Sequence, residues 1–91
     1  MRFKSFGPLR RLIGEGIIDL EVKEGSTVFQ IVSTVIDKWG SDAERLVMDG
    51  DDISGNLIVL LNMKDIDTMG GVNMPVKDGD EIAILPHVQG G

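Results

Sequence analysis

The 91-residue chain contains no cysteine and no tyrosine, and only one histidine, His87. Without cysteine there can be no disulfide, thiolate metal site or cysteine nucleophile. A single histidine cannot supply a zinc site or a histidine-based triad without partners that the chain lacks. Aromatic residues are scarce as well: Phe3, Phe6, Phe29 and Trp39 are the full set. Base stacking of single-stranded nucleic acid is therefore poorly supplied, and a core has to be built from Ile, Leu, Val and Met. No apolar run approaches the roughly 18 residues of a membrane span, and no apolar signal segment opens the sequence. A cytosolic protein with no membrane partner is expected.

The length holds a single domain. A chain of this size buries roughly 60 to 65% of its unfolded surface, which allows one modest core but not a deep catalytic cleft. The 42% apolar fraction suffices for that core, and 26% charged residues are ordinary for a soluble domain. A net charge of −6 argues against nucleic acid, because phosphate neutralisation dominates such binding. The charge is unevenly distributed. Arg2, Lys4, Arg10 and Arg11 bring four cations and no acid to the first eleven residues, leaving a balance of −10 beyond them. A solvated face beside a first strand accounts for this; an oppositely charged docking surface is the sharper alternative.

Periodicity divides the chain into elements. Met1 to Gly7 reads as a strand stopped by Pro8, and Leu9, Leu12 and Ile13 then share one face of a short helix that ends at Gly14. Ile18, Leu20 and Val22 alternate with acids, predicting a half-buried strand. Val28, Ile31, Val32, Val35, Ile36 and Trp39 form one helical stripe, with Thr27 and Gln30 as a capping box and Gly40 as the stop. Ser41 and Glu44 repeat the capping pattern before a second short helix. Asp49 to Gly55 reads as an acidic loop. Its Asp49, Asp51 and Asp52 lack the later ligands of an EF-hand loop, so solvation is the default. Leu57 to Leu61 is uniformly aliphatic and predicts a strand buried on both faces at the middle of a sheet. Lys64 to Ile66 suits a short edge strand, and Thr68 to Val76, with Gly70 and Gly71, is mostly turn. A turn at Lys77–Asp80 leads to a last strand, Glu81 to Leu85, closed by Pro86.

This order predicts an α+β fold: one mixed sheet with a single long helix across one face, the β-grasp or ubiquitin-like architecture. Residues 1–86 would form the domain and 87–91 a flexible C-terminal diglycine tail. Two glycines can run through a channel too narrow for any side chain, and they leave a terminal carboxylate unshielded. At neutral pH that group is an anion able to attack an activated phosphate. Five residues reach roughly 16 Å at about 3.3 Å each.

Asp78-Gly79-Asp80, the Glu81 to Leu85 strand, Pro86 and Val88-Gln89-Gly90-Gly91 together resemble the C-terminal signature of the molybdopterin synthase small subunit and the small archaeal modifier proteins. Lys23 to Val28, Leu57 to Asn62, and Gly70-Gly71 ahead of Pro75 extend the resemblance along essentially the whole chain. The thiamine-pathway sulfur carriers of this fold are shorter and usually lack the segment before Leu57. Two departures stand out. Leu85-Pro86-His87 replaces the family's Phe-Pro-Pro, and Met63 replaces a glycine after Asn62, which points to a different turn there.

The resemblance implies a carrier, not an enzyme. An adenylating enzyme related to ubiquitin activators would join AMP from ATP to Gly91, and sulfur transfer would give a thiocarboxylate donated to a partner such as the molybdopterin synthase large subunit. Alternatively, Gly91 would form an isopeptide with a lysine of a target protein. A further alternative is a non-covalent ubiquitin-fold interaction module. Gly90, Gln89 and Val88 would be needed for the partner's channel, with Leu85, Pro86 and His87 as candidates for partner docking. His87 could also tune the terminal group. No catalytic residue, metal or bound cofactor is implied for this chain.

Overall fold

A computed structural model describes residues 1–86; the expected tail, residues 87–91, lies outside the described residues. Five strands form one mixed sheet in the order β2-β1-β7-β5-β6, comprising β1 (Arg2–Ser5), β2 (Ile17–Asp19), β5 (Leu57–Leu61), β6 (Lys64–Asp65) and β7 (Glu81–Pro86). Strands β1 and β7 run parallel, and every other pair in the sheet is antiparallel. A two-stranded hairpin, β3 (Met48–Asp49) with β4 (Asp52–Ile53), stands apart from it.

Three helices accompany the sheet: α1 (Gly7–Ile13), α2 (Val28–Trp39) and α3 (Ser41–Val47). The single long helix expected from the sequence is α2, and two seven-residue helices join it. Its stripe folds as the period dictates, with Val28, Ile31, Val32 and Val35 buried. The capping box is complete: Gln30 N–H donates to Thr27 Oγ1, and Thr27 N–H donates to Gln30 Oε1. That reciprocity satisfies two of the backbone donors that a helix start otherwise leaves bare. Helix α3 differs from expectation at its start. Gly40, with φ of 78°, is its N-cap, and Ser41 already belongs to the helix and makes no cap bond. Helix α1 ends as read, on Gly14 with φ of 88°.

The core is aliphatic apart from Phe3 and lies between α2 and one sheet face. Phe3, Ile82, Ile84, Val59 and Leu61 meet the α2 stripe there, with Leu9, Ala43 and Val47 closing one end.

Several strand expectations are corrected. The aliphatic strand β5 is not the middle of the sheet; β7 is, and β5 lies one place from the edge. Only Val59 and Leu61 of β5 are buried; Ile58 and Leu60, on the other face, are half-buried. Strand β2 ends at Asp19, short of the Leu20 and Val22 expected in it, although Leu20 N–H still donates to the Met1 carbonyl at 2.9 Å and the Met1 amino group to the Leu20 carbonyl at 2.8 Å. The acidic segment after α3 is not loop throughout but carries β3 and β4. Strand β6 ends at Asp65, whose side chain accepts from Asp67 N–H and starts a 3₁₀ turn that buries Ile66.

Candidate functional site

Strand β7 is held along its length by β1 and β5, so its end, at Pro86, is a fixed point. The start of the strand is fixed too. Asp80 is buried, and its carboxylate accepts from Asn62 Nδ2 at 3.0 Å and from Lys77 N–H at 2.9 Å. Asn62 returns the contact by accepting from Glu81 N–H at 3.0 Å. These donors favour the charged carboxylate. The Asn62 amide acts most strongly, and Asp80 titrates below the ordinary carboxylate value although burial works the other way.

At the far end, Pro86 pairs with Leu57 and packs over Gly7. A Cβ on Gly7 would sit 3.5 Å from Pro86 Cγ, and its φ of +63° belongs to the region that L side chains rarely adopt. Beneath Pro86 lies a small apolar cavity of about 150 Å³, lined by Phe6, Pro8, Leu9, Leu46, Leu57 and Ile84 among others. Phe6 and Leu46 keep 39% and 37% of their surface exposed on its rim. The strand end thus emerges from an apolar collar with solvent access.

Of the residues expected to dock a partner, Leu85 is half-buried opposite Ile58 and Pro86 is exposed. Ala83 and Leu60 share the outer sheet face with Leu85 and Ile58, so the face away from α2 carries an apolar stripe. Arg2 and Lys4 lie on the same face, and both reach Glu81, at 3.8 Å and 3.3 Å. Half of the basic cluster at the chain's start is therefore spent on one neighbouring carboxylate. His87, Val88, Gln89, Gly90 and Gly91 lie outside the described residues. Among the described residues, no group of three His, Asp or Glu side chains is placed to hold a metal ion, and no helix is long and apolar enough to cross a membrane.

The sequence reading missed the collar. Phe6 and Leu46 come from segments 40 positions apart, and only packing of α1 against α3 brings them together. The one local signal was Phe6 itself, a large apolar residue just before a helix-opening Gly7-Pro8.

The model of the ThiS family matches residues 4–91, from β1 through the final glycine. The chain belongs to the ThiS family. Small archaeal modifier protein 3 of Haloferax volcanii is 25% identical over 91 residues, covering all of this chain and 98% of that protein. A protein of Archaeoglobus fulgidus described as a candidate sulfur carrier is 27% identical over 79 residues, 87% of this chain and 89% of its own. Among solved structures, the Amycolatopsis orientalis BexX/CysO complex contains a similar chain. It is 27% identical with a TM-score of 0.81, and 99% of this chain and 98% of that one are covered. These likenesses place the chain among small ubiquitin-like carriers and modifiers, with the β-grasp fold that its own sheet and helices show.

Proposed function

We propose that this ThiS-family protein is a carrier whose Gly91 carboxylate is activated by adenylation on a partner enzyme and then bears sulfur as a thiocarboxylate. The observation that carries the reading is the family match running to Gly91 together with a sheet whose central strand ends five residues earlier. A central strand is a rigid mount, and the glycines beyond it suit a narrow channel. A carboxylate oxygen would attack the α-phosphorus of partner-bound ATP and release pyrophosphate. Sulfide provided by a partner would then displace AMP from the acyl adenylate, the acyl C–S bond of the thiocarboxylate forming as the C–O bond to AMP breaks. Nothing in this sequence requires a side chain of the domain to react; it acts as a handle. The nucleotide belongs to the activating enzyme, and the sulfur acceptor is a second partner, of the molybdopterin synthase large-subunit kind.

A second reading, conjugation of Gly91 to target lysines, is supported by the similarity to a small archaeal modifier protein over the whole chain. A non-covalent module would use the outer sheet face alone. Intact mass spectrometry of the protein from its native cells separates the three. A gain equal to exchange of one oxygen for sulfur supports the carrier, and Gly-Gly remnants on lysines of other proteins support the modifier. If neither form is found and removal of Gly91 leaves the cellular phenotype unchanged, only the interaction module stands.

A further inference from the structure

We infer that the protein carries a recessed site for a basic side chain, arginine or lysine, of a partner protein, between the β3–β4 hairpin and the two glycines Gly70 and Gly71. A cavity of about 410 Å³ opens there. Its apolar surface comes from Phe29 on α2, Leu57 and Val59 on β5, and Ile66 and Val72 on two 3₁₀ turns, Ile66–Thr68 and Gly71–Asn73. Asp52 and Asp67 line it from different elements, β4 and the first 3₁₀ turn, and no lysine or arginine lines it. Neither carboxylate makes an ion pair or a side-chain hydrogen bond to another described residue, whereas nearby Asp65 is occupied in capping its own turn.

Arginine and lysine consist of an apolar stem with a charged head, and such side chains bury the stem along apolar surface while the head meets an acid. The cavity offers both parts in one place. Gly55 and Gly71 line it, and a Cβ on either would enter open space, so the backbone there leaves the cavity accessible. Charge favours this occupant further. The cationic residues near the start of the chain lie in β1 and α1, none of which lines the cavity, and the remainder of the sequence carries the acidic excess.

The location ties this site to the proposed function and in that respect rests on it. Leu57 lines the cavity and is also the partner of Pro86 in the sheet, so the cavity lies one strand away from the residue that precedes the tail. A basic residue beside the channel of a protein that receives the tail would then add specificity to tail insertion.

The test uses the full chain, labelled with nitrogen-15, and titrates it with Nα-acetyl-arginine methylamide and separately with the citrulline counterpart, which has the same shape without the charge. Amide shifts centred on Phe29, Gly55, Ile66 and Val72 are expected with the arginine probe only, weakening with added salt. Asp52→Asn with Asp67→Asn should weaken binding about fivefold or more. Gly55→Leu, which keeps both acids, should block the mouth and abolish the shifts while other amide positions report an intact fold. Equal binding of citrulline, shifts scattered over all acidic segments, or indifference to either variant would overturn the site. Such a failure leaves Gly91 chemistry untouched. Conversely, a protein that binds arginine normally but is never adenylated would refute the carrier reading alone.

Discussion

Asn62 and Asp80 lock two turns of the sheet together across 18 residues of sequence, through a 3.0 Å bond from Asn62 Nδ2 to Asp80 Oδ1. One turn joins β5 to β6 and the other feeds β7. The strand expected to carry the functional tail is thus indexed at its start by a buried carboxylate with donors on both oxygens. The contact also shows why an acidic turn can be structural: Asp78 is exposed, whereas Asp80 is an acceptor on which the local fold depends.

Stability should depend on the ionisation of Asp80. Its folded pKa lies below its unfolded value, so the contribution is complete above the ordinary carboxylate pKa of about 3.9 and is lost as pH falls through the folded value. Asp80→Asn would set an amide donor against one of the existing donors. A loss of about 1–3 kcal/mol is expected at neutral pH, shrinking as the medium is acidified. Urea midpoints of both proteins between neutral and strongly acidic pH check this.

Met63 should be replaceable with profit to stability. Asn62 and Met63 have φ of 51° and 69°, so the hairpin keeps two left-handed residues even though methionine occupies a position suited to glycine. Met63 is 83% exposed and gives up little packing, and Met63→Gly is expected to stabilise the protein by about 0.5–1 kcal/mol, read as a raised denaturant midpoint.

Activation should depend on the last two residues and stability should not. Deletion of Gly91 is expected to abolish adenylate formation, and Gly90→Phe to block it by exclusion from the channel. Pyrophosphate exchange with the activating enzyme, run beside thermal unfolding, tests both. Normal adenylation of Gly90→Phe would remove the channel argument.

Leu85→Ser should separate docking from folding. Leu85 is half-buried on the outer face, so a stability loss near ~1 kcal/mol is expected from its lost burial. If this face meets the activating enzyme, KM for the carrier rises about fivefold at unchanged kcat. An unaltered KM would place docking elsewhere.

Much of this protein is local in origin and was legible without coordinates. The α2 stripe and its capping box, the Gly14 stop of α1 and the turn before β7 each depend on residues within a few positions of one another, and the fold realises all of them. The order of these elements was enough for the β-grasp architecture. Strand rank was not legible: β5 reads as central because five aliphatic residues look doubly buried, yet β7, with a glutamate and a proline at its ends, takes the middle. Hydrophobicity reports how much apolar surface a strand has, not which neighbours hydrogen-bond to it. The same distinction applies to the sites. The Gly90-Gly91 pair is legible in the sequence, because the role proposed for it needs only the absence of side chains. The collar of Phe6 and Leu46, the Asn62–Asp80 lock and the acid-rimmed cavity each join segments far apart in sequence, and only packing could bring them together.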